Sequence, residues 1–137
     1  MATGQPTKHQ QIASTLTRLV ALGLGSGGVG FTVAATWREI DAALAPVIGQ
    51  HGVAALYARS LALTSTTYPW LAPVHTDGRS PQNFSVIELS LAKQTPDDAA
   101  AGGGALIEVF CKLLASMIGV ALTDELLASV WSHIFKK

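Results

Sequence analysis

A chain of 137 residues, 49% hydrophobic and 13% charged, is long enough to bury a core without disulfides or metals to staple it. Nine basic and nine acidic residues leave a net charge of +0, so no overall field draws in nucleic acid or an anionic membrane. The charged share is about half that of ordinary globular domains, which points to extensive burial, self-association or membrane contact. The lone cysteine, Cys111, cannot close an internal disulfide, and a reducing, cytoplasmic compartment suits it. Residues 1–11 are polar and do not read as a secretory leader.

In chain order, residues 1–6 read as a loose tail and Thr7 as the cap of a first helix. There Ile12, Leu16, Leu19 and Val20 share a face, while Lys8, Gln11 and Arg18 stay wet. The glycines at 23, 25, 27, 28 and 30 predict a loop, because each costs a helix interior about 1 kcal/mol against alanine. Val33, Trp37, Ile40, Leu44 and Val47 then recur at helical spacing, with Trp37 at the centre of the stripe and therefore expected in the core. Pro46 should end or kink that helix, and Gly49 and Gly52 bracket a turn at Gln50-His51. A third helix over about 53–63 puts Val53, Leu56, Tyr57 and Leu61 inward and Arg59 outward. Thr64 to Thr67 and Tyr68-Pro69-Trp70-Leu71-Ala72-Pro73 do not continue as regular helix, and Asp77-Gly78 and Ser80-Pro81 carry the irregular stretch to 81. A fourth helix over about 81–93 offers Phe84, Ile87 and Leu91.

The C-terminal third organises the rest. Thr95-Pro96-Asp97-Asp98 combines a capping hydroxyl, a proline at the first helical position and two carboxylates at the positive end of the helix dipole. The small-residue patch 99–104 either breaks the following helix or lets another backbone come very close, and propensity favours the break. Leu106, Phe110, Leu113, Met117 and Val120 form a stripe over 104–121 that Ile107, Leu114 and Ile118 widen, with Phe110 at its centre. Thr123-Asp124-Glu125 reads as a second cap, followed by Leu126, Leu127, Val130, Trp131 and Ile134. The fold expected is all-α: one domain, a compact bundle of five to six helices, with irregular segments near 23–31 and 64–81.

Chemistry-bearing motifs are scarce. Gly25-Ser26-Gly27-Gly28-Val29-Gly30 matches G-x-G-x-x-G, but a helix rather than a strand precedes it and no βαβ unit can form. His9, His51, His75 and His133 are scattered with no second ligand at helical spacing, so no metal site is expected. Cys111 sits among apolar helical positions as a small core side chain, and no serine stands in a nucleophile elbow. The chain therefore reads as no enzyme. Its best recognition candidates are Tyr57, Arg59, Tyr68 and Trp70, the residue types that supply most interface hot spots.

By elimination the leading expectation is a non-catalytic regulatory, signalling or adaptor module. It would act through protein–protein contact, as a homodimer joined by helix faces near the C-terminus. One alternative is a sensor that holds haem or an apolar ligand between helices, with His51 as the polar contact. Another is a small membrane-associated protein anchored by 19–37, a charge-free stretch of roughly spanning length between Arg18 and Arg38. Glycines interrupt the centre of that stretch, so a helix–loop–helix is expected instead.

Overall fold

The computed structural model describes residues 8–72 and 84–135, and among these every regular element is helical. In order they are α1 (Lys8–Ala21), α2 (Ser26–Thr64), a 3-10 turn (Pro69–Leu71), α3 (Ser85–Ala92), α4 (Pro96–Ile118) and α5 (Val120–Phe135). The all-α reading holds. Expectations placed on Thr7, His75, Asp77-Gly78 and Ser80-Pro81, and the start of the fourth helix at 81–83, lie outside the described residues, as do the side chains of Lys8, His9, Gln11, Trp131, His133 and Ile134.

α4 is the rod the others pack on, with α1 and α2 against it and α3 and α5 completing the contacts. It starts as its sequence directs: Thr95 Oγ1 accepts a hydrogen bond from the Asp98 amide at 3.1 Å, and Pro96 occupies the first helical turn. Buried side chains of all five helices form one core, from Ile12 and Leu16 through Trp37, Ile87 and Phe110 to Leu127 and Val130. Trp37 and Phe110 are both fully buried.

α2 is not one rod. Gly49 holds φ +82 and ψ 158, far from helical values. A straight helix rises 1.5 Å per residue and would part Trp37 from Tyr57 by about 30 Å. Their ring centroids are instead 4.8 Å apart. The two limbs thus fold back on each other as a helical hairpin. The sequence places the bend correctly within 46–52, but Pro46 lies inside the helix and the break comes at Gly49. Val47 leaves the stripe there and is exposed.

Four expectations are corrected. The glycine cluster is a loop only before Ser26. Gly23, at φ +110, makes the turn, and Gly27, Gly28 and Gly30 lie within α2. The reason is tertiary: a Cβ on Gly30 would stand 2.6 Å from the Glu88 carbonyl oxygen of α3, and Ser26 Oγ donates to the Ala92 carbonyl at 3.0 Å. Close packing of two helices outweighs the poor propensity. The patch 99–104 likewise does not break α4, because Gly103 receives Val33 and Gly102 receives Trp70. Thr123 is no cap. α5 begins at Val120, after Gly119 at φ +93, and the buried Thr123 hydroxyl donates back to the Gly119 carbonyl at 2.8 Å. Finally, the stripe of α4 runs through Leu106, Ile107, Phe110, Cys111 and Leu114, while Met117 and Val120 turn outward.

The stretch 19–37 is divided between α1, the turn at 22–25 and α2, so it is not a single helix. Among the described residues, α4 is the helix long and apolar enough to cross a membrane, with a mean hydropathy of 1.5 over its most apolar window. In this fold it is the centre of the core.

Candidate interaction site

Tyr68 and Trp70 are positioned by the exit from α2. The Tyr68 amide donates to the Thr64 carbonyl and the Leu71 amide to the Tyr68 carbonyl, each at 2.9 Å, which winds the chain into the 3-10 turn. Leu71 is fully buried and anchors that turn. From α3, Ser90 Oγ donates to the Trp70 carbonyl at 3.4 Å. The two rings meet edge to face, with centroids 6.2 Å apart. The indole rests on Gly102 of α4, where a Cβ would come within 2.5 Å of Cζ2. This close seat explains the glycine and makes the pair a half-buried cover on the bundle.

Tyr57 and Arg59 do not join that pair in one surface. Arg59 is exposed on the second limb of α2, as its place off the apolar stripe implies. Tyr57 is a core residue, in edge contact with Trp37 and with Phe84, the latter at 5.3 Å between centroids. Its place on the inward stripe leaves it 3% exposed, apart from the Tyr68–Trp70 pair. His51, just past the bend, is exposed rather than set between helices.

A second surface was not legible as one. Met117, Val120 and Leu122 are 64%, 57% and 41% exposed and lie within six positions around the α4–α5 corner. Their helical spacing assigned Met117 and Val120 to the core. Gly119, at φ +93 in a conformation that favours glycine, ends α4 and turns the chain into α5.

Acid–base and metal chemistry find little footing. Burial, and then the carboxylates of Asp124 and Glu108, push the Cys111 thiol up to about 12, so it stays protonated and inert at neutral pH. Arg38 and Glu88 form an ion pair at 3.8 Å between α2 and α3, partly exposed and therefore weak. Among the described residues no three His, Cys, Asp or Glu side chains gather in a way that could hold a metal ion.

Polar groups sequence reasoning did not single out lie in the core. Trp37 Nε1, Tyr57 OH and Thr64 Oγ1 are buried without a hydrogen-bond partner. No pattern announces this, because it depends on the rings that the folded hairpin brings together. No family model matches the chain, and neither the curated proteins nor the solved structures contain a match for it.

Proposed function

We propose that this chain is a non-catalytic helical regulatory or adaptor module that works by protein–protein contact and pairs with a second copy of itself. The observation that carries the reading is the α4–α5 corner, where Met117, Val120 and Leu122 present apolar side chains to water. With only 18 charged residues on 137, few charges are at hand to surround such a face. Exposed apolar clusters mark interaction sites more often than single exposed side chains do, and two-fold pairing is the commonest way for identical chains to cover one. The half-exposed Tyr68–Trp70 cover, with Arg59 exposed on α2, supplies residue types suited to a further protein partner.

Light scattering coupled to size exclusion tests the pairing. At tens of micromolar the expected mass is that of two chains, falling to one in the double substitution Met117→Lys and Val120→Lys. A single-chain mass for the unaltered protein removes the self-association, and an unchanged dimer in the variant moves it to another face.

A further inference from the structure

We propose that the outer side of the α2–α3 seam binds an acidic amphipathic segment of another protein. Phe31 and Leu89 form its apolar seat, and Arg38 and Lys93 stand at its two ends. Two contacts fix the seam. Ser26 Oγ donates to the Ala92 carbonyl at 3.0 Å, and a Cβ on Gly30 would stand 2.6 Å from the Glu88 carbonyl oxygen. As residue numbers rise by four on α2 they fall by four on α3, so the helices run antiparallel with their backbones close. Each residue advances about 100° round its helix. In an antiparallel pair, the residue after a seam position turns to the same side on both helices. Phe31 follows Gly30 and Leu89 follows Glu88, so both side chains come to one side of the seam, within a helical turn of each other. The core lies on the other side, where Val33 and Ile87 are buried. Phe31 and Leu89 are each 63% exposed.

Gly27 lies one turn before Phe31 on the same face and is exposed, with nothing within 4 Å of where its Cβ would stand. Gly30, Gly102 and Gly103 are accounted for by close packing, and Gly23, Gly49 and Gly119 by positive φ. Gly27 has neither reason. Beside the Phe31 ring it leaves a notch that an incoming side chain can fill.

Charge decides the occupant. Arg38 is two turns past Phe31 on its helix and Lys93 one turn past Leu89 on the other, so they flank the apolar pair at opposite ends. Arg38 Nη2 lies 3.8 Å from Glu88, and the half-exposed guanidinium keeps further N–H groups for a partner. Lys93 is exposed, and no carboxylate among the described residues pairs with it. A second copy fits poorly: two-fold pairing of this face lays Lys93 on Lys93 or on Arg38, cation against cation. An anionic lipid surface gains little, since Glu88 offsets one of only two cations. A segment with apolar side chains between carboxylates matches both the seat and its ends. The inference rests on the reading of the chain as a contact module and uses a face apart from the α4–α5 corner. Val33, just past Phe31, meets Gly103 near the start of α4, whereas that corner follows its end.

The test uses the full chain and a fluorescently labelled, alanine-based helical peptide with two leucines one turn apart at its centre and glutamates at both ends. A control peptide carries lysines in place of the glutamates. Fluorescence anisotropy should show saturable binding of the acidic peptide and at least about tenfold weaker binding of the basic one. Phe31→Ser with Leu89→Ser should weaken the acidic peptide to a similar extent, with the far-ultraviolet circular dichroism of the protein unchanged. Lys93→Glu should weaken the acidic peptide and strengthen the basic one, a reversal that mere structural damage would not produce. The proposal is overturned if the acidic peptide does not bind saturably, if the basic one binds as well, or if Lys93→Glu affects both alike. Two further outcomes also overturn it. Loss of a two-chain mass in Phe31→Ser with Leu89→Ser would give the face to a second copy, and vesicle binding lost in that variant would give it to phosphatidylserine-containing membranes. The pairing at the α4–α5 corner should survive in the same variant, so either reading can fail without the other. If the double variant does not fold, the two peptides on the unaltered chain and on Lys93→Glu decide.

Discussion

Replacing Gly27 and Gly30 by alanine should move stability in opposite directions, although both residues lie in the first turns of α2. Nothing stands within 4 Å of a Cβ at Gly27, so Gly27→Ala should gain stability, from a few tenths to about 1 kcal/mol of helix propensity. At Gly30 the obstacle is a backbone carbonyl on α3, which cannot swing aside as a side chain can. Overpacking of that kind typically costs about 1–3 kcal/mol and should exceed the gain in propensity. Urea unfolding of the two variants checks both signs, and a stabilised Gly30→Ala would mean that α2 and α3 are not so close. Tyr57→Phe should reverse the usual sign of a core substitution. It deletes a buried hydroxyl with no protein partner and keeps the ring, so stability should hold or rise by about 1 kcal/mol. A loss of that size would show that the hydroxyl is paired in solution. Trp37→Ala and Phe110→Ala should each cost about 3–5 kcal/mol, because both side chains are enclosed and mutually in contact.

Among the elements, α2 holds the most consequential decision. Its apolar stripe through Val33, Trp37, Ile40 and Leu44 is plain in the sequence and is buried as read. The direction change is plain as well, in Pro46, Gly49 and Gly52. How sharply the chain turns is not, since proline can sit in a helix and glycine in a bend of any angle. The φ and ψ of Gly49 lie in a region that only glycine enters easily. Gly49→Ala should therefore lose about 1–3 kcal/mol and loosen the contact between Trp37 and Tyr57. The loss reads out in denaturant unfolding and the loosening in near-ultraviolet circular dichroism. A variant within about 0.5 kcal/mol of the parent, the ordinary scatter of surface substitutions, would mean that the bend does not depend on this conformation. α4 gives the complementary lesson. Its cap at Thr95 was legible because the capping pattern is local, whereas its passage through 99–104 was not, because the partners of Gly102 and Gly103 are far along the chain.

For the whole molecule, two buried groups, Cys111 and Tyr57, should make the fold sensitive to alkali. Cys111 rises from an ordinary 9.0 to about 12, and burial raises the Tyr57 phenol above its ordinary 10.0. A folded pKa above the unfolded one means that the folded state holds the proton more tightly. The associated stability is whole below pH 9 and is lost as pH climbs toward 12, with Tyr57 contributing above pH 10. The limiting slope is about 1.4 kcal/mol per pH unit for each group. Melting temperatures recorded from pH 8 to 11 should fall above pH 9, and less steeply in Cys111→Ala. An identical decline in that variant would place the alkaline sensitivity elsewhere.

The sequence by itself determined that the chain is helical, where most helices lie and which aromatic residues fill the core. These follow from periodicity, caps and composition, all properties of neighbours along the chain. Only the tertiary structure decided the fate of the glycines, the exposure of Met117 and Val120, and the burial of the Trp37 and Tyr57 donors without a protein partner. Each depends on what a distant segment brings to the same point. A glycine that weakens an isolated helix becomes the best residue when a carbonyl or an indole must fit against it, and a stripe written for burial reaches water when the chain turns before another helix covers it.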